Sequence, residues 1–400
     1  MRMHGLGHDR RPRRRRGISL MEVIFALGII VAGLVGVAVL IPVAGKLAND
    51  GTTADRAARE ALNAIREMEL RGMSRPINWV QLADGLDNNS NGNVDEPAEI
   101  STGSTSVPAL TGFCLDPRFV AANQATILSG TTAPADARYF PYVNLGAEPF
   151  PVPLRRITVW DQSKPLAVPP AFMSQLMADD LFVAQDDLVT SIPGVDDNQP
   201  TTNPPQQVYN FSPAPSSLVE KRQTEGRISW MATIVPSHDG DYQQDVYTLS
   251  IVIFLNRDAA MLMDGNSERV AWIEHEQTGA TGFSGGGVTG GDVVLRTRAG
   301  RPASDLDVKR GQWVMLARRS GTDPQIAPTI FTGPIMRWYK LMEVDPGVDT
   351  AGSQSSRSVT LYGPDWVPDV NYRTYVYIVP DIIAVYEKQI RLENTSLWTP

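Results

Sequence analysis

Oxygen-bearing side chains alternate along one short stretch of the sequence, residues 84–96. Counting from Asp87 as position one, these side chains fall at positions one, three, five and nine, and Gly92 occupies position six. Alternate oxygen ligands can wrap around a hard cation such as Ca²⁺, and glycine permits the sharp turn that this wrapping needs. The pattern predicts calcium ligands at Asp87, Asn89, Asn91 and Asp95.

This stretch resembles the calcium loops of EF-hands, dockerins and thrombospondin repeats. It departs from them at position twelve, where Ala98 replaces the usual bidentate Glu, and Pro97 prevents an EF-hand helix from following directly. Glu96 or Glu99 could supply the missing carboxylate. The alternative is an acidic, Asn-rich loop that binds no ion, so calcium is a possible ligand and no cofactor is expected to be required.

Few residues of the chain could serve as nucleophiles or transition-metal ligands. Cys114 is the single cysteine, and only His238 and His275 lie beyond the first 17 residues. The sequence contains no P-loop, no HExxH zinc motif and no GxSxG nucleophile elbow. We therefore expect that the protein is not an enzyme.

The charge of the 400-residue chain is distributed unevenly. Residues 1–17 contain seven Arg and one Asp, a net charge of +6, whereas the whole chain carries −8, which leaves −14 for the remainder. The whole chain contains 42% hydrophobic and 20% charged residues, which is too apolar and too lightly charged for disorder throughout. Because phosphate backbones repel an acidic body, we expect no nucleic-acid partner.

An uncharged apolar run of 23 residues, 23–45, follows the basic leader. A helix of this length can cross the ~30 Å hydrocarbon core of a membrane. The positive-inside rule predicts that the Arg-rich leader stays in the cytoplasm and that the acidic body is exported. A secretory signal peptide would have a shorter apolar region and a small-residue cleavage site. We therefore expect a single-pass protein of the inner (cytoplasmic) membrane with its C-terminal body outside the cytoplasm.

The segment GISLMEVIFALGIIVAGLVGVAVL resembles the type IV prepilin signature. In that family a short basic leader ends in Gly, cleavage follows directly, and a Glu stands at the fifth mature position. Gly17 matches the residue before the cut, Ile18 the first mature residue and Glu22 the fifth, although Ile18 departs from the commonest Phe. The resemblance covers only the N-terminal part of the chain, and it implies a prepilin or pseudopilin.

The resemblance also implies how the chain is processed and assembled. A prepilin peptidase would remove residues 1–17, the new amino group of Ile18 would be methylated, and residues 18–45 would remain as a transmembrane and filament-core helix. A carboxylate in lipid is costly without a partner, and the Ile18 ammonium of one subunit could pair with Glu22 of another. The implied partners are the peptidase, other pilin or pseudopilin subunits and the inner membrane.

Beyond the apolar run, residues 46–72 predict an amphipathic continuation of the helix. Apolar residues recur at i, i+3/i+4 spacing, and charged residues cover the opposite side. The Asn-Asp-Gly sequence at 49–51 could break the helix locally, and Pro42 could kink it. The predicted apolar stripe comprises Ala54, Ala58, Ala61, Leu62, Ile65 and Met68.

The rest of the chain divides by composition near residue 225. Residues 73–225 are Pro-rich and predict loops, short strands and one helix near 170–183. Residues 226–400 predict antiparallel strands, because no helical pattern separates the alternating segments. The expected fold is α+β, a long N-terminal helix followed by a large antiparallel β-rich body, as in pilins. The strand candidates are 226–235, 245–256, 268–276, 292–298, 312–319, 337–344, 358–363 and 374–392.

These features together predict a minor type IV pilin or pseudopilin, a structural subunit of a pilus or secretion pseudopilus. The body is larger than that of a typical major pilin, and a single cysteine cannot close the disulfide loop of many pilins. The alternative function keeps the prepilin-type anchor but makes the body a surface-displayed ligand-binding module or adhesin.

We predict that the soluble part, from about residue 46 on, binds calcium weakly, with a dissociation constant of ~0.1–1 mM or higher. Only two of the four expected ligands are charged, which limits the affinity. Titration calorimetry should detect heat for the wild type and none for the double variant Asp87→Ala, Asp95→Ala. If millimolar calcium gives no heat and no change in melting temperature, the loop binds no calcium.

Overall fold

The computed structural model describes the chain in several stretches that are separated along the sequence. They are residues 19–82, 101–102, 111–129, 137–142, 153–160, 172–184, 188–189, 223–224, 228–237, 246–259, 268–274, 291–319, 334–366 and 373–392.

Helix α1, Leu20–Leu70, contains 51 residues and would be about 77 Å long at 1.5 Å per residue. It continues without interruption through residues 49–51, so the predicted break is wrong. Gly51 costs only about 1 kcal/mol relative to Ala in a helix, and the Ala-, Arg- and Glu-rich sequence that follows favours the helix strongly. Pro42 also lies inside the uninterrupted helix.

The chain divides into two units at Asp55, and the first contains the apolar part of α1. Its large apolar side chains from Leu20 to Leu47 are exposed, and an 18-residue window reaches a mean hydropathy of 3.0 with none of its surface buried. By length and composition this helix is able to span a membrane. An apolar surface exposed on every side is typical of a helix surrounded by lipid or by other subunits.

The second unit, from Arg56 on, is rich in β-strands. The described residues form three further helices, α2 (Pro117–Ala122), α3 (Gln124–Ser129) and α4 (Gln175–Phe182). The strands are β1 (Trp79–Gln81), β2 (Ser101–Thr102), β3 (Phe113–Leu115), β4 (Tyr139–Phe140), β5 (Leu154–Val159), β6 (Leu188–Val189), β7 (Gln223–Thr224), β8 (Ile228–Pro236), β9 (Val246–Leu255), β10 (Arg269–Glu274), β11 (Asp292–Arg296), β12 (Trp313–Arg319), β13 (Pro334–Val344), β14 (Asp349–Ala351), β15 (Gln354–Tyr362), β16 (Tyr375–Ile378) and β17 (Ile382–Arg391).

Eight of these strands form one sheet, which we call the spine sheet, in the order β17-β9-β8-β3-β5-β1-β2 with β4 paired to β5. All of its pairs are antiparallel except β3 with β5, which run parallel. This pair corrects the expectation of an entirely antiparallel body. The connection between β3 and β5 contains α2, α3 and β4, and a parallel pair needs a long connection of this kind. Strands β6 and β7 pair separately.

Six other strands close into a small barrel in the order β11-β10-β16-β12-β13-β15, with β15 pairing back to β11. Every pair in the barrel is antiparallel, and β14 adds to β15 outside the ring. Alternate residues of each strand face the interior, as the period of two requires. Apolar side chains fill this interior, among them Ala271, Ile273, Leu295, Val314, Leu316, Tyr339, Leu341, Val359, Leu361, Val376 and Ile378.

The spine sheet is covered on both faces. On β8, Trp230, Ala232 and Ile234 pack in one apolar core with the second half of α1, whereas Met231 and Val235 pack against the barrel. Two-sided burial explains why every residue of β8 is buried. The outer face of the barrel contributes Val270, Trp272, Met315, Ala317, Met336, Trp338, Tyr375 and Tyr377 to the second core.

Several local predictions agree with these elements. The segments 226–235 and 245–256 correspond to β8 and β9, and the helix near 170–183 is α4. The single candidate 374–392 forms two strands, because the chain turns at Asp381, whose φ is positive. A residue in the left-handed region interrupts the extended backbone, and the chain on its two sides joins different sheets, β16 the barrel and β17 the spine sheet.

The buried face of α1 differs from the predicted stripe. Ala57, Ala61, Ala64 and Met68 are buried against the spine sheet, whereas Leu62 is 57% exposed. Small side chains let the helix approach the sheet closely, and this contact turns the larger Leu62 outward. The helix is therefore amphipathic, as predicted, but the face that it buries is rotated.

We predict that Ala61→Leu destabilises the protein by about 1–3 kcal/mol, because the added side chain has no room between α1 and the spine sheet. The adjacent Leu62→Ala is the control and should change stability by less than about 0.5 kcal/mol. Denaturant unfolding of the full chain in detergent micelles measures both. Equal unfolding midpoints for the two variants would contradict the close packing of this face.

Candidate functional site

The N-terminus of α1 is defined by Ser19. The Ser19 hydroxyl accepts a hydrogen bond from the backbone N–H of Glu22 at 3.2 Å, and the Ser19 carbonyl accepts from Glu22 and Val23 at 3.0 and 3.3 Å. These contacts make Ser19 the N-cap residue, which supplies an acceptor to a backbone donor that the helix itself leaves unsatisfied.

Glu22 lies in the first turn of α1, three residues beyond the cap. Its side chain is exposed, and its carboxylate makes no hydrogen bond or ion pair within the described residues. The positive end of the helix macrodipole favours an acid at this position. Gly17 and Ile18, the other two residues of the predicted processing site, lie outside the described residues.

The signal for this cap is visible in the sequence but was not part of the sequence interpretation. Ser19 and Glu22 have the Ser-x-x-Glu spacing of a capping box. Half of that box is formed, since the serine caps the Glu22 N–H while the Glu22 side chain remains exposed. The prepilin resemblance drew attention to Glu22 as an acid in lipid, and the role of Ser19 was missed.

The second candidate site is a buried charge cluster of four residues, Asp116, Arg156, Arg257 and Glu268. Arg156 donates from Nη2 to both Glu268 oxygens at 2.8 and 2.7 Å and from Nη1 to Asp116. Arg257 donates to both Asp116 oxygens at 2.8 and 2.6 Å. The Arg156 side chain is 0% exposed, and its guanidinium lies 3.7 Å from the centre of the Phe119 ring.

Each member of the cluster comes from a different element. Arg156 lies on β5 and Asp116 directly precedes α2, whereas Arg257 follows β9 and Glu268 precedes β10. Asn256, at φ 59°, turns the chain after β9 just before Arg257. The cluster therefore connects the spine sheet to the start of β10 in the barrel. Sequence reasoning missed it, because the four residues are far apart in the chain and show no local pattern.

The two arginines and the two carboxylates of the cluster neutralise one another's charge. Burial alone would raise the pKa of Asp116, but the guanidinium groups of Arg257 and Arg156 outweigh burial and lower it. Burial, aided by Asp116, raises the pKa of the neighbouring Cys114 thiol well above its usual value. Two cations and two anions thus compensate one another, and Cys114 is a neutral thiol. This arrangement links two parts of the body and supplies no thiolate nucleophile.

The predicted calcium ligands Asp87, Asn89, Asn91 and Asp95 lie outside the described residues, so the structure does not bring them together or separate them. Within the described part of the chain, no group of three or more His, Cys, Asp and Glu side chains is arranged to hold a metal ion.

Comparison with known proteins gives no relatives. No protein-family model, no curated protein and no solved structure matches this chain.

We predict that Arg156→Met destabilises the protein by about 3–5 kcal/mol, because it leaves two buried carboxylates short of a partner. The control is Glu67→Gln, which breaks the exposed Glu67–Arg71 pair on α1 and should cost less than about 0.5 kcal/mol. Denaturant unfolding of the full chain in detergent measures both. A similar cost for the two variants would show that the cluster contributes little to stability.

We also predict an acid-dependent loss of stability that originates at Asp116. Because its pKa is lowered in the folded chain, its contribution is complete above the ordinary carboxyl pKa of about 4 and is lost as the pH falls through the lowered value. Asp116→Asn should flatten this dependence below about pH 4 while lowering stability at neutral pH. The free energy of unfolding of both proteins, measured across pH 2–7, tests this prediction. If the variant loses stability below pH 4 as steeply as the wild type, groups other than Asp116 cause the loss.

Proposed function

We propose that this protein is a minor type IV pilin or pseudopilin, a membrane-inserted structural subunit of a pilus or secretion pseudopilus. The observation that carries the proposal is α1. One uninterrupted helix begins at a cap beside Glu22, exposes apolar side chains through its first half and buries an alanine face against a sheet in its second. A subunit that anchors in lipid and then assembles through the same helix needs these properties.

The processing step of this proposal concerns the bond between Gly17 and Ile18. A prepilin peptidase cuts it at the cytoplasmic face, and Ile18 becomes the methylated N-terminus. Glu22 of one subunit then pairs with the Ile18 ammonium of a neighbour. The exposed carboxylate of Glu22 supports this pairing, because an acid in an apolar helix without a partner among the described residues gains most from an external cation.

The location of the body follows from the same proposal. The Arg-rich leader keeps the N-terminus in the cytoplasm, residues 23–45 cross the inner membrane once, and the acidic body lies outside the cytoplasm. Upon assembly the protein leaves the membrane with the filament, which displays the body on a pilus or pseudopilus. The proposed partners are the prepilin peptidase and other pilin or pseudopilin subunits.

The barrel favours a second candidate function, a surface-displayed ligand-binding module or adhesin on a prepilin-type anchor. It packs on the face of the spine sheet opposite to α1 and has a filled apolar core of its own. Under the main proposal the helix anchors the subunit and the spine sheet buries its alanine face, so that proposal assigns the barrel no role of its own. The barrel is therefore available for a separate role at the surface.

We predict that the mature chain begins at N-methylated Ile18. Intact-mass and peptide mass spectrometry of the membrane-extracted protein should find this terminus in cells with an active prepilin peptidase. Gly17→Trp should abolish cleavage because it introduces bulk next to the scissile bond, whereas the matched Gly17→Ala should retain part of it. Glu22→Ala should be cleaved normally but should no longer co-purify with other filament subunits.

Recovery of a mature protein that still carries residues 1–17 would reject the proposed function. Normal recovery of cleaved Glu22→Ala with filament subunits would reject the assembly role of Glu22 and leave the processing step intact.

A further inference from the structure

The outward face of the second half of α1, opposite the buried alanines, carries two arginines and two leucines. Arg59, Leu62, Arg66 and Leu70 follow one another at spacings of three and four residues, which places them on the same side of the helix. Leu62 is 57% exposed and Leu70 is 82% exposed. Arg59 and Arg66 are also exposed, and neither forms an ion pair with a described residue. We call these four residues the α1 stripe.

A second exposed patch lies on the outer surface of the barrel, where β15 runs between β11 and β13. Across these strands Thr360 lies between Asp292 and Glu343, and its hydroxyl donates to Asp292 Oδ1 at 2.6 Å. Beside this row, Met342 is 43% exposed and Tyr362 is 52% exposed. We call Asp292, Met342, Glu343 and Tyr362 the barrel patch. Like the α1 stripe, it combines exposed apolar side chains with charges of one sign.

The surroundings of the barrel patch keep it acidic. Lys340, which lies opposite Tyr362, is a cation at one end of the patch. The exposed Asp345, whose backbone N–H donates to the Ser358 carbonyl, lies near the other end. These two charges balance, so the carboxylates of Asp292 and Glu343 leave the patch negative.

The charges on the two surfaces have matching separations. Arg59 and Arg66 are seven residues apart, which corresponds to about 10.5 Å along a helix. Asp292 and Glu343 lie on the two strands that flank β15, which corresponds to about 10 Å across a sheet. A helix that crosses these strands can therefore place one arginine on each acid, with Leu62 between them.

We propose that the α1 stripe of one copy of the chain docks on the barrel patch of a second copy. The helix packs on one face of the spine sheet and the barrel on the other. None of the described residues of β11 or β15 enters the core between the barrel and the spine sheet, so the patch faces away from that sheet. The stripe and the patch thus lie on opposite sides of the body.

The position and charge of the two surfaces determine the kind of contact. A two-fold contact through the stripe would bring arginines against arginines, and one through the patch would bring acids against acids, which are both unfavourable. Stripe against patch joins opposite charges and is heterologous, so the copies stack head to tail. This contact needs no removal of the leader. The inference is therefore independent of the proposed function and adds a second copy as a partner.

The first test uses the full chain in isolated membranes, with one new cysteine in each surface. On treatment with a mild oxidant, the double variant Leu62→Cys, Met342→Cys should form disulfide-linked dimers and longer oligomers, seen by non-reducing gel electrophoresis. Either single variant should form none, because a head-to-tail contact brings position 62 only to position 342. Cys114 is buried and does not compete.

The second test reverses the charges in the double-cysteine chain. Arg59→Glu with Arg66→Glu should lower the yield of linked oligomers about tenfold, because each attraction becomes a repulsion. Adding Asp292→Arg and Glu343→Arg to the same chain exchanges the two charges and should restore most of the yield. Unfolding midpoints equal to that of the parent chain show that both variants are folded.

The matched control is Lys309→Glu with Arg310→Glu, in the exposed loop before β12. It changes the net charge by the same amount and should not lower the yield. Linked dimers of Leu62→Cys alone would show that the helices meet side by side and would overturn the inference. An unlinked double-cysteine chain, or a reversal that leaves the yield unchanged or is not rescued by the exchange, would overturn it as well.

Discussion

Backbone hydrogen bonding within α1 is the constraint on which the rest of the structure depends. A helix satisfies its own N–H and C=O groups, so one element can continue from lipid into water without changing its conformation. Only its side chains change, from apolar on all sides before residue 46 to apolar on one face after residue 56. Gly51 and Pro42 weaken the helix locally, but the flanking sequence compensates for both.

The layers of the body cover apolar surfaces that would otherwise be exposed, beginning with the buried face of α1. The alanine face of α1 needs a flat apolar partner, and the spine sheet supplies one with Trp79, Phe113 and Trp230 among others. A sheet covered on one face only would expose its other face, and the barrel covers it. The buried charge cluster joins these two layers through directional bonds, whereas the apolar contacts between them are not directional. A cluster of this kind adds little net stability over an apolar replacement, whereas its directional bonds favour one orientation of the two layers.

Local patterns in the sequence predicted what is local in the structure. The uncharged run and the alternation in 226–235 and 245–256 depend on neighbouring residues, so the long helix and strands β8 and β9 were predictable. The rotation that buries Ala64 in place of Leu62 depends on a sheet that the helix sequence does not encode. Closure of the barrel through β11 and β15, and the cluster around Arg156, depend on residues far apart in the chain. Such long-range contacts leave no periodic pattern in the sequence, so they could not be predicted from this one sequence.

The first turn of α1 connects these observations to assembly. Its unsatisfied backbone donors concentrate positive charge at one end of an apolar helix, and Glu22 contributes one carboxylate beside them. Under the proposed function, cleavage after Gly17 adds the ammonium of Ile18. Ser19 already satisfies the Glu22 N–H, so the cap and the carboxylate do not compete for that donor. Under the proposed function each subunit therefore carries one cationic terminus at Ile18 and one acid at Glu22, four residues later in the sequence. Such a pair is satisfied when the acid of one copy meets the terminus of the next, which is a heterologous contact. Contacts of this type lead to an open helical filament when the rotation between copies does not close.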